Sequence, residues 1–216
     1  MLKYMGGKAK LAKFICFRLN RLVASPSVKS YVEPFIGGGS IARNVLTSKP
    51  RLAYDLNPYL IALYKALGAG WLPPRHITPE LYKSLKEEPS SHPAHLVGYA
   101  GIAAAYGGRW MTSYAHPVVA KNGHPEHDFQ MESYRAVLKH KRSLKGIEFA
   151  CSSYMELEPH EALVYCDPPY AGTTNGYFAG EQPFDHATFW QCRLGDAYAG
   201  VMKATKTARK KAWLED

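Results

Sequence analysis

Cysteine is scarce and unpatterned: Cys16, Cys151, Cys166 and Cys192 form no C-x-x-C pair and show no metal-ligand spacing. That argues against a zinc module or a disulfide scaffold and fits reduced thiols in a cytosol. Long apolar runs are also missing. The opening residues, Met1 to Lys8, lack the apolar centre of a signal peptide, and no stretch is long enough to span a bilayer. No segment repeats. Acidic residues are few relative to basic ones, 18 against 27, so the formal charge is +9 and the pI near 9.3. Such a surface attracts polyanions, nucleic acid being the natural candidate, in a salt-sensitive way; charge alone fits a merely basic protein equally well.

What is present is an ordinary globular composition, 46% hydrophobic and 21% charged over 216 residues, enough for one main domain with or without a large insertion. From Lys8 to Leu22, Leu11, Ile15, Leu19 and Leu22 recur at helical spacing among Lys10, Lys13, Arg18 and Arg21. Ser30 to Phe35 reads as a short strand, Gly37-Gly38-Gly39-Ser40 as a turn, and Ile41 to Leu46 as a renewed helix. A second strand, Arg51 to Asp55, leads to Asn57-Pro58, an N-cap followed by a proline at the first helical position, with a helix to about Leu67. Beyond Gly68, Pro73, Pro74, Pro79, Pro89 and Pro93 break up long regular structure, and an insertion begins. It holds a small-residue helix near Leu96 to Tyr106, and a basic helix from about Met131 to Leu144 follows it. Ile147 to Cys151 and Ala162 to Cys166 are further strands, the last without polar alternation, as in a parallel strand buried on both faces. Strands alternating with helices indicate a parallel α/β sheet, whose ligands bind beyond the carboxyl ends of the strands.

Three motifs fall at those ends. Glu33-Pro34-Phe35-Ile36-Gly37-Gly38-Gly39-Ser40 lets backbone approach a ligand closely, although a glycine turn alone is often only a turn. Asp55 lies 18 residues after Gly37, near the offset at which an acid reaches ribose hydroxyls in nucleotide-binding folds; the plainer alternative is that it helps start the next helix with Asn57. Asp167-Pro168-Pro169-Tyr170 is the most specific: both prolines have fixed φ and no N–H, and Pro168 biases Asp167 towards an extended conformation. The turn presents a preorganised pair of acceptors, the Asp167 carboxylate and the Pro168 carbonyl. Two such acceptors on the hydrogens of a planar amine favour the pyramidal form that can attack a methyl sulfonium. Tyr170 adds an aromatic face for stacking a base flipped out of a duplex.

Taken in order, Lys3 to Lys8, the Glu33 to Ser40 loop, Asp55 and Asp167 to Tyr170 resemble the DNA adenine methylase family of N6-adenine methyltransferases, over residues 1 to about 185. The resemblance implies a Rossmann-like methyltransferase sheet that takes S-adenosylmethionine as its cofactor, with a mainly helical target-recognition insertion. It divides the chain into cofactor-binding residues 1–69, the insertion 70–145, the remainder of the catalytic domain 146–189, and an atypical basic tail 190–216. Carried over by position, Tyr4, Lys8, Phe35, Gly37, Gly39, Asp55 and Asp167 bind the cofactor, and Asp167, Pro168, Pro169 and Tyr170 act on the adenine. Tyr4 stands where the family often has Trp. Cys151-Ser152-Ser153-Tyr154 corresponds to the place where the family meets the cofactor's adenine.

Within the insertion, Tyr106, Arg109, Trp110, Tyr114 and Lys139 are the candidates for contact with double-stranded DNA, with Lys141 and Arg142 available to phosphates. No metal is expected: His116, His124 and His127 have no cysteine partner, and methyl transfer from a sulfonium needs none. The expectation is a cytoplasmic monomer, bacterial or from a phage, with a role such as restriction–modification. After Phe189 no strand signal is read, whereas the family continues with three strands. The expectation is therefore a sheet that lacks its C-terminal strands and leaves the Val164 strand as an apolar edge, in a shortened or frame-shifted chain. Two other readings stay open, a non-catalytic remnant that binds DNA or cofactor, and methylation of another amine or amide, as in a protein or RNA.

Overall fold

The computed structural model describes residue 4 and residues 6–116, 128–169, 184–191 and 198–201. Five parallel strands form one sheet in the order β3-β2-β1-β4-β5: β1 is Ser30–Glu33, β2 Arg51–Asp55, β3 Ile147–Cys151, β4 Ala162–Cys166 and β5 Tyr198–Val201. Tyr31 aligns with Arg51 on one side and with Leu163 on the other. The chain order reverses between β1 and β4, so the crevice for a ligand is expected beyond their carboxyl ends.

β4 is buried along its whole length, as its unbroken apolar sequence predicts. Leu163 and Tyr165 point into the larger core, while Ala162, Val164 and Cys166 join a smaller one on the opposite face with Val32, Tyr154 and Phe189. The expected exposed edge is corrected here. β5 pairs with β4, Leu163 aligned with Tyr198 and Cys166 with Val201, so β4 is an interior strand. The strand was missed because Tyr-Ala-Gly-Val is too short and too small to stand out from its flanks.

Helix α1, Ala12–Val23, buries Ala12, Ile15, Cys16, Leu19 and Val23, a stripe turned slightly from the one expected; Leu11 and Leu22 face outward. Asn57 caps α2, Pro58–Gly68, by accepting from the Tyr59 and Leu60 amides. The helix expected after the glycine turn is a single 3-10 turn, Ala42–Asn44, because Val45 is extended and the Asn20 side chain takes the Leu46 amide.

The proline-rich region is more regular than predicted. Thr78 caps α3, Pro79–Glu87, through the Leu81 amide, so Pro79 starts a helix rather than breaking one. In α4, Ala94–Ala103, Gly98 lies so near α2 that a Cβ would stand 2.1 Å from the Tyr59 carbonyl oxygen, and one on Gly101 would meet the Trp110 ring at 2.6 Å. With α5, Phe129–Lys141, these helices share the larger core with one face of the sheet. Among the described residues, no helix is long and apolar enough to cross a membrane.

Candidate active site at the sheet's switch point

A cleft opens where the chain order reverses. Its lining comes from the segment before α1 (Tyr4, Gly6, Gly7, Lys8), from the end of β1 and the loop after it (Glu33, Phe35 to Gly38, Ser40 and Ile41), and from Asp167 and Pro168 after β4. Residues 159 positions apart in sequence meet here: the Lys8 ammonium donates to Asp167 Oδ2 at 2.6 Å, with side-chain exposures of 8% and 17%. Lys8 also donates to the Gly6 carbonyl at 3.1 Å. Anchored at both ends, Lys8 restrains rotation of the Asp167 carboxylate.

The loop after β1 is shaped by two left-handed glycines, Gly37 at φ 44° and Gly39 at φ 62°. The Tyr64 hydroxyl donates to the Gly37 carbonyl at 2.6 Å, and a Cβ on Gly37 would lie 3.0 Å from the Tyr4 ring. No side chain fits at Gly37 without displacing Tyr4. Asp55 holds the loop from the far side: one carboxylate oxygen accepts from the Gly37 amide at 3.0 Å and the other from the Asn57 amide at 3.0 Å. Burial raises its carboxyl pKa, against the lowering effect of bonds from the Asn57, Gly37 and Leu56 amides. The plainer alternative for Asp55 is thus realised, since it accepts from the Asn57 amide at the start of α2, and it also braces the glycine loop.

Glu33, at the head of the glycine-loop motif, has a place in the cleft that its motif alone does not show. It ends β1, is 2% exposed, lines the cleft and accepts from the Tyr31 hydroxyl at 3.1 Å. Burial pushes its carboxyl well above the ordinary range. The Tyr31 bond opposes that, the Asp167 charge reinforces it, and the Ala42 backbone and Lys8 oppose it. The available signal was an acid at the carboxyl end of an otherwise apolar strand.

Phe35 packs in an aromatic cluster with Tyr154, Phe184 and Phe189, ring centroids 5.5–5.7 Å away. Ser153 caps the turn Tyr154–Glu156, and the Ser152 amide donates to the Asp55 carbonyl at 3.3 Å, so the Cys151 to Tyr154 segment stands beside both Asp55 and Phe35. Pro168 and Pro169 follow Asp167 in a half-buried loop; Tyr170 lies outside the described residues.

The DNA candidates separate. Tyr106, Arg109, Lys139 and Arg142 are exposed. Trp110 instead stacks near Tyr59 at 6.1 Å and covers Gly101, while the Tyr114 hydroxyl donates to the Ile77 carbonyl at 2.6 Å. Lys141 donates to the Gly70 and Trp71 carbonyls beyond the end of α2. These three are engaged in packing or capping, which their residue types alone did not reveal. His116 is exposed, His124 and His127 lie outside the described residues, and among the described residues no group of three metal-ligating side chains occurs.

Residues 4–95 match the model of the D12 class N6 adenine-specific DNA methyltransferases. The chain is also 26% identical, over 200 residues, to proteins named DNA adenine methylase from two strains of Vibrio cholerae serotype O1, Classical Ogawa 395 and El Tor Inaba N16961. That alignment covers 79% of this chain and 64% of each relative, so the chain spans under two thirds of the length of the curated relatives it matches. The family match contains Tyr4, Lys8, the glycine loop and Asp55, and ends before Asp167.

Proposed function

Taking the likeness to D12 class N6 adenine-specific DNA methyltransferases as premise, we propose that this protein transfers a methyl group from S-adenosylmethionine to N6 of adenine in double-stranded DNA. The observation that carries the reading is the meeting of Asp167 with Lys8 and Glu33 in one cleft beside a side-chain-free glycine loop, at the switch point of a parallel sheet. The cleft suits such a cofactor on two counts. Its glycine loop keeps backbone exposed where a Cβ would strike Tyr4, and its Lys8 ammonium and the carboxyls of Glu33 and Asp167 offer polar partners to both groups of a zwitterionic amino-acid end. Tyr4, Lys8, Glu33, Phe35 and the loop around Gly37 and Gly39 would hold it. Asp55 acts one step back, by fixing the Gly37 amide.

When bound, S-adenosylmethionine supplies a methyl group on a positively charged sulfur. The chain's own contribution is to the amine. Asp167 and the Pro168 carbonyl accept the two hydrogens of the adenine amino group, withdrawing its lone pair from the ring and aiming it into the cleft. Lys8 holds the Asp167 carboxylate oriented for that grip. The prolines hold the turn in place without induced movement. The target base must leave the duplex to reach Asp167, and Tyr170 offers the aromatic face that receives it. Tyr106, Arg109 and Lys139 are the exposed residues of the helical region that meet the duplex.

The test is transfer of label from the methyl group of S-adenosylmethionine to duplex DNA, with the product nucleoside identified. N6-methyladenine is expected, and Asp167→Ala should lower single-turnover methylation by roughly 100- to 1000-fold, the size of effect seen when one preorganised polar group is removed. Label appearing only in cytosine, or in protein, would overturn the reading. Binding of DNA and cofactor without any transfer would identify a non-catalytic remnant instead.

A further inference from the structure

Residues 1–32 contain seven Lys or Arg and no Asp or Glu; the first acid of the chain is Glu33. The structure concentrates this charge on the outer side of α1. Lys10, Lys13, Phe14, Phe17, Arg18 and Arg21 are all exposed, and their spacing of three and four residues puts them on one face, opposite the buried Ala12, Ile15, Cys16, Leu19 and Val23. Phe14 and Phe17 are 47% and 64% exposed, and the Arg18 guanidinium lies 5.6 Å from the centre of the Phe14 ring. Leu46, 76% exposed, adjoins the face where its amide bonds Asn20 of α1. Elsewhere the helices that carry several charges mix signs: α3 holds Glu80 and Glu87 beside its lysines, and α5 holds Glu132 beside its basic residues.

From this face we infer a docking surface for the phosphate backbone of duplex DNA, separate from the Tyr106 to Lys139 region and continuous with the cleft through Lys8. The inference rests on the DNA-methylating reading only for the identity of the polyanion. Charge complementarity selects the occupant. A second copy of this face would set the four cations Lys10, Lys13, Arg18 and Arg21 against four. A helix lying in a membrane segregates apolar and basic residues to opposite sides, whereas here the apolar stripe faces the protein core and the two phenylalanines are interleaved with the cations. The 12-residue helix is about 18 Å long, which runs beside on the order of ten phosphate charges of a duplex. The helix also begins four residues after Lys8, so DNA whose target base enters the cleft passes its amino-terminal end.

The experiment measures equilibrium binding of the full chain to an unmodified duplex across a salt series. It compares the wild type with a quadruple variant, Lys10→Gln, Lys13→Gln, Arg18→Gln and Arg21→Gln, and with a charge-preserving exchange, Lys10→Arg, Lys13→Arg, Arg18→Lys and Arg21→Lys. If all four cations contact phosphate, the neutral variant's slope of log affinity against log salt flattens by about 3 to 4, while the exchange keeps the wild-type slope. Unfolding temperature is followed in parallel to establish that each variant is folded. An unchanged slope in a folded neutral variant overturns the inference, as does loss of binding to phosphatidylserine vesicles with DNA binding intact. Because binding is read without turnover, a chain that methylates nothing still tests this surface, and a chain that methylates adenine with an unchanged slope refutes the surface alone.

Discussion

The switch-point cleft and the α2–α4 contact use glycine in different ways. In the cleft, Gly37 and Gly39 adopt left-handed φ and lie against aromatic side chains, a Cβ falling 3.0 Å from the Tyr4 ring or 3.3 Å from the Tyr64 hydroxyl. Between α2 and α4, Gly98 has ordinary helical geometry, and the space its missing side chain leaves is filled by the Tyr59 carbonyl of the neighbouring helix. One region stores buried charge and irregular backbone, at a cost in stability. The other is apolar, regular and closely packed, and holds the helices that support the first.

Substitutions that add one methyl group break or sharpen that contrast. Gly98→Ala should have the largest effect, because a Cβ 2.1 Å from a backbone oxygen cannot be accommodated by a side-chain shift. A loss of about 3 kcal/mol or more is expected, at or beyond the upper end for overpacked cores, read as a fall in urea midpoint. Gly37→Ala should cost about 1 to 2 kcal/mol from its left-handed φ, yet weaken cofactor binding disproportionately by pushing against Tyr4; calorimetric titration with S-adenosylmethionine separates the two effects. Equal losses in stability and binding would mean that the loop serves the fold alone.

A smaller effect is expected from Glu33→Gln, and it depends on pH. Burial raises the folded-state pKa of Glu33, so the folded chain keeps this proton where the unfolded chain has lost it. The associated stability is full below the ordinary carboxyl pKa, about 4.3, and is lost as pH rises from there through the raised folded value. Glutamine resembles the protonated acid, so the variant's unfolding temperature should fall less with rising pH than the wild type's. Identical slopes would remove Glu33 as the source. The smallest change is Gly68→Ala at the exposed end of α2, where a Cβ meets nothing within 4 Å; it should stabilise by up to about 1 kcal/mol.

Much of the scaffold was legible in sequence because it depends on local pattern. β2, β3 and β4 stand where apolar, β-prone runs predict them, and Asn57-Pro58 starts α2 by capping chemistry that needs no distant partner. Errors arose where local signals have two meanings. Pro79 looked like a breaker but occupies the first turn of α3, where a missing N–H costs nothing. The contacts of Trp110 and Tyr114 likewise carry no local signal: the Trp110 ring covers Gly101, and the Tyr114 hydroxyl donates to the Ile77 carbonyl, remote in sequence.

By itself the sequence determined the order of β1 to β4, the turn chemistry of Asp167-Pro168-Pro169 and the charge of the first 32 residues, since each depends on residue type and covalent geometry. Only the tertiary structure decided that Lys8 meets Asp167, that Glu33 is a buried acid facing the same cleft, and that the cations of α1 share an outward face. Each of those facts depends on which strands lie side by side and which stripe of a helix the core covers, and such contacts carry no local signature in the chain.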